Sequence, residues 1–195
     1  MLFSSLVTGL GPRRAQANLH LQHMTFQEKL LNFLLFQSGW WACILSVKYD
    51  LELAALLFTG ILTLLQLRWG SHARANLRII AWVLPLGIAL DSLLQIFMGW
   101  TFYGWSIAYL SPFWLWMIWV LFAITLKSSM AFLNHLHPLL QACIGLVMGP
   151  ISYIAGAELG AASMPSNPSG VYVLALAWAV ITPIVMKRSK NQDLA

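Results

Sequence analysis

The sequence predicts an all-α protein, a polytopic transmembrane helix bundle of about six spans with both termini cytoplasmic. Three observations carry this. The first is composition: 59% of the 195 residues are hydrophobic and only 9% are charged, against about 25% charged in an ordinary soluble domain. With a mean hydropathy of +0.74, the chain has too few polar groups to cover a water-facing surface, so a bilayer is the expected solvent. The second is a set of six apolar runs near 30–47, 52–68, 79–98, 112–133, 138–157 and 170–187, each close to the ~20 residues a span needs. The third is charge asymmetry. Six spans put Arg13, Arg14, Lys29, Arg68, Arg74, Arg78, Lys127, Lys187, Arg188 and Lys190 on one side and only Lys48 on the other. Basic residues collect on the cytoplasmic side, and omitting one span would scatter them. The net charge of +5 is thereby a matter of topology. No basic stripe with interleaved aromatics appears, so a nucleic-acid partner is not expected.

Taken in order, residues 1–23 are expected to be a disordered extension or to precede the true start. Their Arg pair follows the apolar stretch, unlike a signal peptide, and the stretch is too short to span. Residues 24–190 form the single six-helix domain, and 191–195 a cytoplasmic tail. The first span holds "NFLLFQSGWW", in which Gln37 has Trp40 and Trp41 one turn away while Asn32 points elsewhere. A buried Gln amide wants several partners, so Gln37 is expected to bond across helices.

The third span, "WVLPLGIALDSLLQIFMGW", carries Asp91. A carboxylate in a span costs about 2.5–3.5 kcal/mol on insertion scales, so Asp91 should face the interior, be protonated or be paired. Gly87 and Gln95 lie one turn away on its face. A functional site and a structural hydrogen bond both remain open. The loop 99–112 has no charge, and Trp100, Tyr103, Trp105 and Tyr109 are expected at the headgroup level. In the fourth span Trp116, Trp119 and Lys127 share one helical face. Lys127 is a partner candidate for Asp91, but their depths differ by about 10 Å from the 1.5 Å rise; snorkelling to the cytosolic interface is the simpler account.

The fifth span is the most patterned. Gln141, Gly145, Gly149, Ser152, Gly156 and Gly160 share a broad face, Pro150 adds a break, and Tyr153 borders the face. The pairs Gly145/Gly149 and Gly156/Gly160 have the small-xxx-small spacing of close helix approach. A kink that leaves room for a ligand is the functional alternative. Cys43 and Cys143 fall inside spans and read as two buried small hydrophobes, not as a disulfide or metal pair. His20, His23, His72, His135 and His137 read as loop histidines. No metal site, cofactor, nucleophile motif or phosphate loop is expected.

The segments "NFLLFQSGWWACIL", "PFWLWMIWVLFAITLKSSMAFL" and "GPISYIAGAELGA" resemble the signature blocks of a small bacterial membrane family catalogued as domain of unknown function 2878. The resemblance runs from about Met24 to Lys187. It implies a multi-pass inner-membrane protein of Gram-negative bacteria with no established activity, encoded near enzymes that modify fatty acyl chains.

Three functions compete. A lipid-associated carrier or accessory factor would use Gln37, Trp40, Asp91, Gln95, Trp116, Trp119, Lys127 and Tyr153 as its binding set, with a homodimer supplying the second half that carriers usually have. A membrane-embedded lipid-modifying enzyme would use Asp91 as acid or base with Lys127 or Tyr153 assisting; the absence of a nucleophile or metal signature leans against it. A structural docking partner of lipid-modifying enzymes would present the small-residue face of the fifth span.

Overall fold

A computed structural model describes residues 24–70 and 73–191. The extension 1–23 with His20 and His23, His72, and residues 192–195 of the tail lie outside the described residues. Six α-helices run through the described chain: α1 (Phe26–Lys48), α2 (Glu52–Trp69), α3 (Ala73–Phe97), α4 (Phe113–Thr125), α5 (Pro138–Glu158) and α6 (Ser169–Asn191). All but α4 are long and apolar enough to cross a membrane.

Local sequence sets the helix ends. α1 opens with a capping box. Glu28 N–H donates to Thr25 Oγ1 at 3.3 Å, and Thr25 N–H donates to Glu28 Oε2 at 2.7 Å, which satisfies donors that a helix start leaves open. Pro138 sits in the first turn of α5, behind His137, whose Nδ1 accepts from Leu139 N–H at 3.2 Å. Gly160, at φ +89°, closes α5 in the left-handed conformation.

The helices alternate in direction. At one end the loops 49–51, 98–112 and 159–168 meet. Two short strands, β1 (Thr101–Phe102) and β2 (Ala162–Ser163), pair antiparallel, Thr101 opposite Ser163 and Phe102 opposite Ala162. Glu52, at the start of α2, accepts from Trp105 N–H at 2.8 Å. Gly104 makes that contact possible: its φ is +106°, and a Cβ there would lie 2.1 Å from Glu52 Oε1. At the other end Asn32 Nδ2 donates to Gln66 Oε1 at 2.7 Å and Ser129 Oγ donates to Asn32 Oδ1 at 2.7 Å. This second end gathers Lys29, Arg68, Arg74, Arg78, Lys187, Arg188 and Lys190 with the starts of α1, α3 and α5 and the ends of α2 and α6.

Cys43 is buried, but Cys143, expected to be buried as well, is exposed on α5, and two further expectations are corrected here. The fourth apolar run, 112–133, is not one helix. α4 stops at Thr125, five turn residues follow, and a 3₁₀ helix covers Ala131–His135. The cause is local. Thr125 Oγ1 donates back to Phe122 O at 2.6 Å and Ser128 Oγ to Ile124 O at 3.0 Å, and Ser129 gives both its N–H and its hydroxyl to Asn32. Such bonds compete with the helical ladder. Irregular backbone at this depth is tolerable only where protein covers it, and Leu126, Lys127 and Ser128 are all buried. α4 is the bundle's central helix, nine of its 13 residues being buried. The second correction is Trp100. It is 1% exposed and donates from Nε1 to Gly170 O at 3.1 Å, whereas Tyr103, Trp105 and Tyr109 are exposed at the loop surface.

The helices fall into two bodies. α1, α2 and α3 pack around α4, while α5 packs on α6, which leans on α3. Among the described residues α1 and α5 have no comparable packing, which leaves a gap between them.

Candidate functional site

Asp91 is fully buried on α3 and holds two side chains from other helices. Its Oδ2 accepts from Trp119 Nε1 of α4 at 2.7 Å, and its Oδ1 accepts from the Tyr153 hydroxyl of α5. A buried carboxyl group needs such donors. Gly87, one turn before it, makes room: a Cβ at Gly87 would lie 2.1 Å from the Trp119 ring. The Trp119 ring in turn stacks on Trp178 of α6, centroids 5.2 Å apart and planes 7° apart. Asp91 thus clasps the two bodies together, through Tyr153 directly and through Trp119 and Trp178.

Beside this clasp lies a cleft of about 410 Å³, bounded by α1 and α5, with α4 as its floor and α6 behind. Its outer edges are apolar and exposed, at Phe33 on α1 and Met148 and Ile151 on α5. Ile44 and Gly156 close it toward the loop-rich end, where a Cβ on Gly156 would lie 3.2 Å from Ile44. Along α5 the lining runs from Ile144 to Gly156, about 18 Å by the helical rise, more than half of the ~30 Å hydrocarbon core. No charged side chain is among its lining residues. The polar groups that reach it are few: Gln37 and Trp40, Ser152 and Tyr153, Trp178 and Thr182. Ser152 donates to Gly149 O and Thr182 to Trp178 O, so those hydroxyls are engaged.

The residues singled out from the sequence divide accordingly. Gln37, Trp40, Trp119, Tyr153, Gly145, Gly149 and Gly156 line the cleft. Asp91 stands behind it, reaching it only through Tyr153 and Trp119. Gly145 and Gly149 are where α6 approaches: an added Cβ would lie 2.2 Å from Thr182 Oγ1 and 2.2 Å from Trp178 respectively. Pro150 is buried inside α5. Gly160 belongs to the loop after α5 and has nothing within 4 Å of an added Cβ, so it does not extend the packing face. Gln37 was expected to bond across helices; it makes no such bond among the described residues and lines the cleft instead.

Three of the set lie elsewhere. Trp116 donates to Ser111 Oγ at 3.2 Å and stands edge-on to Phe113. Gln95 is half-buried and does not meet Asp91; its Oε1 is buried with no partner among the described residues. Lys127 does not pair with Asp91. It is 8% exposed, and its Nζ donates to Ser189 O at 3.5 Å. It borders a second cavity of about 300 Å³ with Asn32, Gln66 and Asn76. The termination of α4 at Thr125 is what takes Lys127 off the Trp116–Trp119 face.

Two features escaped the sequence reading. Trp178 looks like one more apolar residue of the sixth run, yet it forms the back of the cleft; its signal is the pair of glycines that must face something large. The junction of Asn32, Gln66 and Ser129 also went unread, because its members are far apart in sequence.

No curated protein and no solved structure matches the chain. A family model does, over residues 29–184, a stretch that holds Asp91, Trp119, Tyr153 and Trp178 and every lining residue of the cleft but Val185 and Met186. That covers well over half of the sequence, and the chain belongs to the family described as "Protein of unknown function (DUF2878)".

Proposed function

We propose that this is a lipid-binding protein of the bacterial inner membrane, a small carrier or an accessory factor that holds a fatty-acyl lipid for modification. The observation that carries the reading is the cleft between α1 and α5. It is apolar, about 410 Å³ in volume, and open along the side of the bundle, a size and lining typical of ligand pockets. In a bundle whose long helices are apolar enough to cross a membrane, a side opening faces acyl chains, and a chain can enter without crossing water. The basic end of the bundle supports a cytoplasmic position for both described chain ends.

Asp91 fits this reading as the group that holds the cleft's walls. Both its oxygens are occupied by Trp119 and Tyr153, and it does not itself line the cleft. One observation favours a second reading: Tyr153 lines the cleft with a carboxyl group behind it, the arrangement of a general acid or base. An enzyme of that kind would alter the bound lipid with time.

The test is to purify the wild type and Ser152→Trp, which fills the cleft, and to identify bound lipid by native mass spectrometry. The wild type should carry lipid that survives detergent exchange, and Ser152→Trp should lose it at unchanged abundance. A wild type with no more lipid than the detergent background would overturn the proposal, as would a variant that keeps the same lipid. A time-dependent change in the mass of the bound lipid would instead establish the enzymatic reading.

A further inference from the structure

The two ends of the cleft are built differently. At the loop-rich end there is a wall. Ile44 of α1, Trp114 of α4, Gly156 of α5, Phe102 of β1 and Ala162 of β2 all line the cleft there, and all are buried. Backbone hydrogen bonds pin this wall. Ala161 N–H donates to Gly156 O at 3.0 Å, Tyr103 N–H donates to Ala161 O at 3.0 Å, and β1 pairs with β2 beside them. The Trp114 Nε1 is engaged, donating to Tyr103 O at 2.7 Å. The wall therefore presents carbon to a ligand, and it is held at a fixed height.

At the basic end the lining stops at Phe33 on α1, Ile144 on α5 and Met186 on α6. One turn further out, Lys29 follows Phe33 and Lys190 follows Met186 along their helices, and both lysines are exposed. Glu28, the carboxylate nearest Lys29 in sequence, lines the second cavity and accepts from Thr25 N–H. Between the two ends the lining has no charge. The hydroxyls of Tyr153, Ser152 and Thr182 give their hydrogens to Asp91, Gly149 O and Trp178 O. These groups and the Gln37 amide are spread along the cleft and favour neither direction. Direction comes from the wall at one end and the lysines beyond the other.

A charged head against the wall would be buried without a partner, at a high cost; the lysines supply partners at the far end. From Lys29 to Ile44 the α1 helix rises about 22 Å. An extended hydrocarbon chain advances about 1.25 Å per carbon, from a ~1.5 Å bond at the tetrahedral angle. About 16–18 carbons fill that distance. Lipid tails and the cleft are equally apolar, so transfer from one to the other gains little and fit decides. A shorter chain leaves a void at the wall, where contacts are forfeited. A longer one must buckle or lift its head off the lysines.

Resting on the lipid-binding reading above, we propose that the cleft measures the length of a single acyl chain that bears an anionic head. The head stays at the basic end beside Lys29 and Lys190, and the methyl end of the chain meets the wall at Ile44 and Gly156. The ligand comes from the leaflet at the basic end, because a chain from the opposite leaflet would have the β1–β2 pair between its head and the cleft.

The experiment presents the wild-type protein, in one detergent, with an equimolar series of lysophosphatidylglycerols and reads the bound species by native mass spectrometry. Occupancy should peak at about 16–18 carbons and fall several-fold toward both ends of the series. Gly156→Val thickens the wall, where an added Cβ would lie 3.2 Å from Ile44 Cδ1, and should move the peak to shorter chains. Ile44→Ala should move it to longer ones. A merely structural role for these residues would lower occupancy for every chain without moving the peak. Lys29→Gln combined with Lys190→Gln should lower binding several-fold with the peak in place, and the matching lysophosphatidylcholine should bind several-fold less than the lysophosphatidylglycerol. A flat wild-type profile, or a peak that neither wall variant moves, would overturn the length measurement while leaving the lipid-binding reading in place. The wild-type profile alone decides if a wall variant is not recovered. Equal binding of the two heads would overturn the anionic selection. No bound lipid of either kind above the detergent background would remove both this inference and the reading beneath it.

Discussion

Replacing Asp91 with leucine and with asparagine should give different outcomes, and the structure says why. Asp91 accepts two hydrogen bonds, from Trp119 Nε1 and from the Tyr153 hydroxyl, at a position with no exposure. Leucine removes both acceptors and strands two buried donors. In water-soluble proteins each stranded donor costs about 1–3 kcal/mol. Between membrane helices the measured value of a hydrogen bond is lower, about 0.6 and at most ~1.7 kcal/mol, because the separated helices find other partners. Two bonds at the membrane scale give ~1–3 kcal/mol. The upper half is the better expectation, since both donors remain enclosed by packed rings. Converted at about 2–4 °C per kcal/mol for a chain of this size, Asp91→Leu should melt roughly 5–10 °C below wild type in one detergent. Asparagine is different. Trp119 can only donate, so the amide oxygen must face it; the amide N–H then faces Tyr153, whose hydroxyl can turn and accept. Both bonds persist, one of them reversed, and Asp91→Asn should melt within a few degrees of wild type. The assay is loss of the monodisperse peak after heating, read by size exclusion. Leucine as stable as wild type would show that the clasp does not hold the two bodies. Asparagine as damaging as leucine would show that the carboxyl group acts by charge and not by the geometry described.

Gly149→Ala should destabilise the α5–α6 pair by about 1–3 kcal/mol, because the new Cβ would lie 2.2 Å from Trp178; an unchanged melting temperature by the same assay would contradict the close approach. Reporter fusions after Ser111 and Asn167 should read as periplasmic and one after Ala75 as cytoplasmic, following the alternation of helix direction and the basic end; a cytoplasmic signal at Ser111 would refute the six-pass arrangement.

Much of the fold was legible because hydropathy and charge are local properties read along the chain. The long runs at 52–68, 138–157 and 170–187 sit within a few residues of α2, α5 and α6. The end of α4 was not legible. "ITLKSSMAF" continues an apolar helical pattern, and what stops it is a contact with Asn32, some hundred residues earlier. Error in that one boundary carried over to the site, since the assumed continuous helix placed Lys127 on the face of Trp119. Asp91 and Tyr153 each stood out alone, the first by charge and the second by bordering a small-residue face. Their bond joins α3 to α5 and has no trace in spacing. Trp100 read as an interfacial anchor because loop tryptophans beside spans usually are; the pairing of β1 with β2 instead folds it beneath the loops, against Phe102 and Tyr153.

The division into two packed bodies has a consequence for biogenesis. Synthesis is vectorial, so α1, α2 and α3 have left the ribosome before α4 emerges. That order suits a central helix of 13 residues, about 20 Å long by its rise and too short to satisfy the bilayer unaided, because the three helices that surround it are already there to receive it. The α5–α6 hairpin arrives last. It has its own internal packing through Gly145 and Gly149, and it docks on a finished four-helix platform through Tyr153 and Trp178. The cleft is the seam left between first-made and last-made parts. Until the hairpin docks, α4 keeps one flank uncovered, and on the lipid-binding reading proposed above an acyl chain lying there during assembly would be held in the seam as it forms.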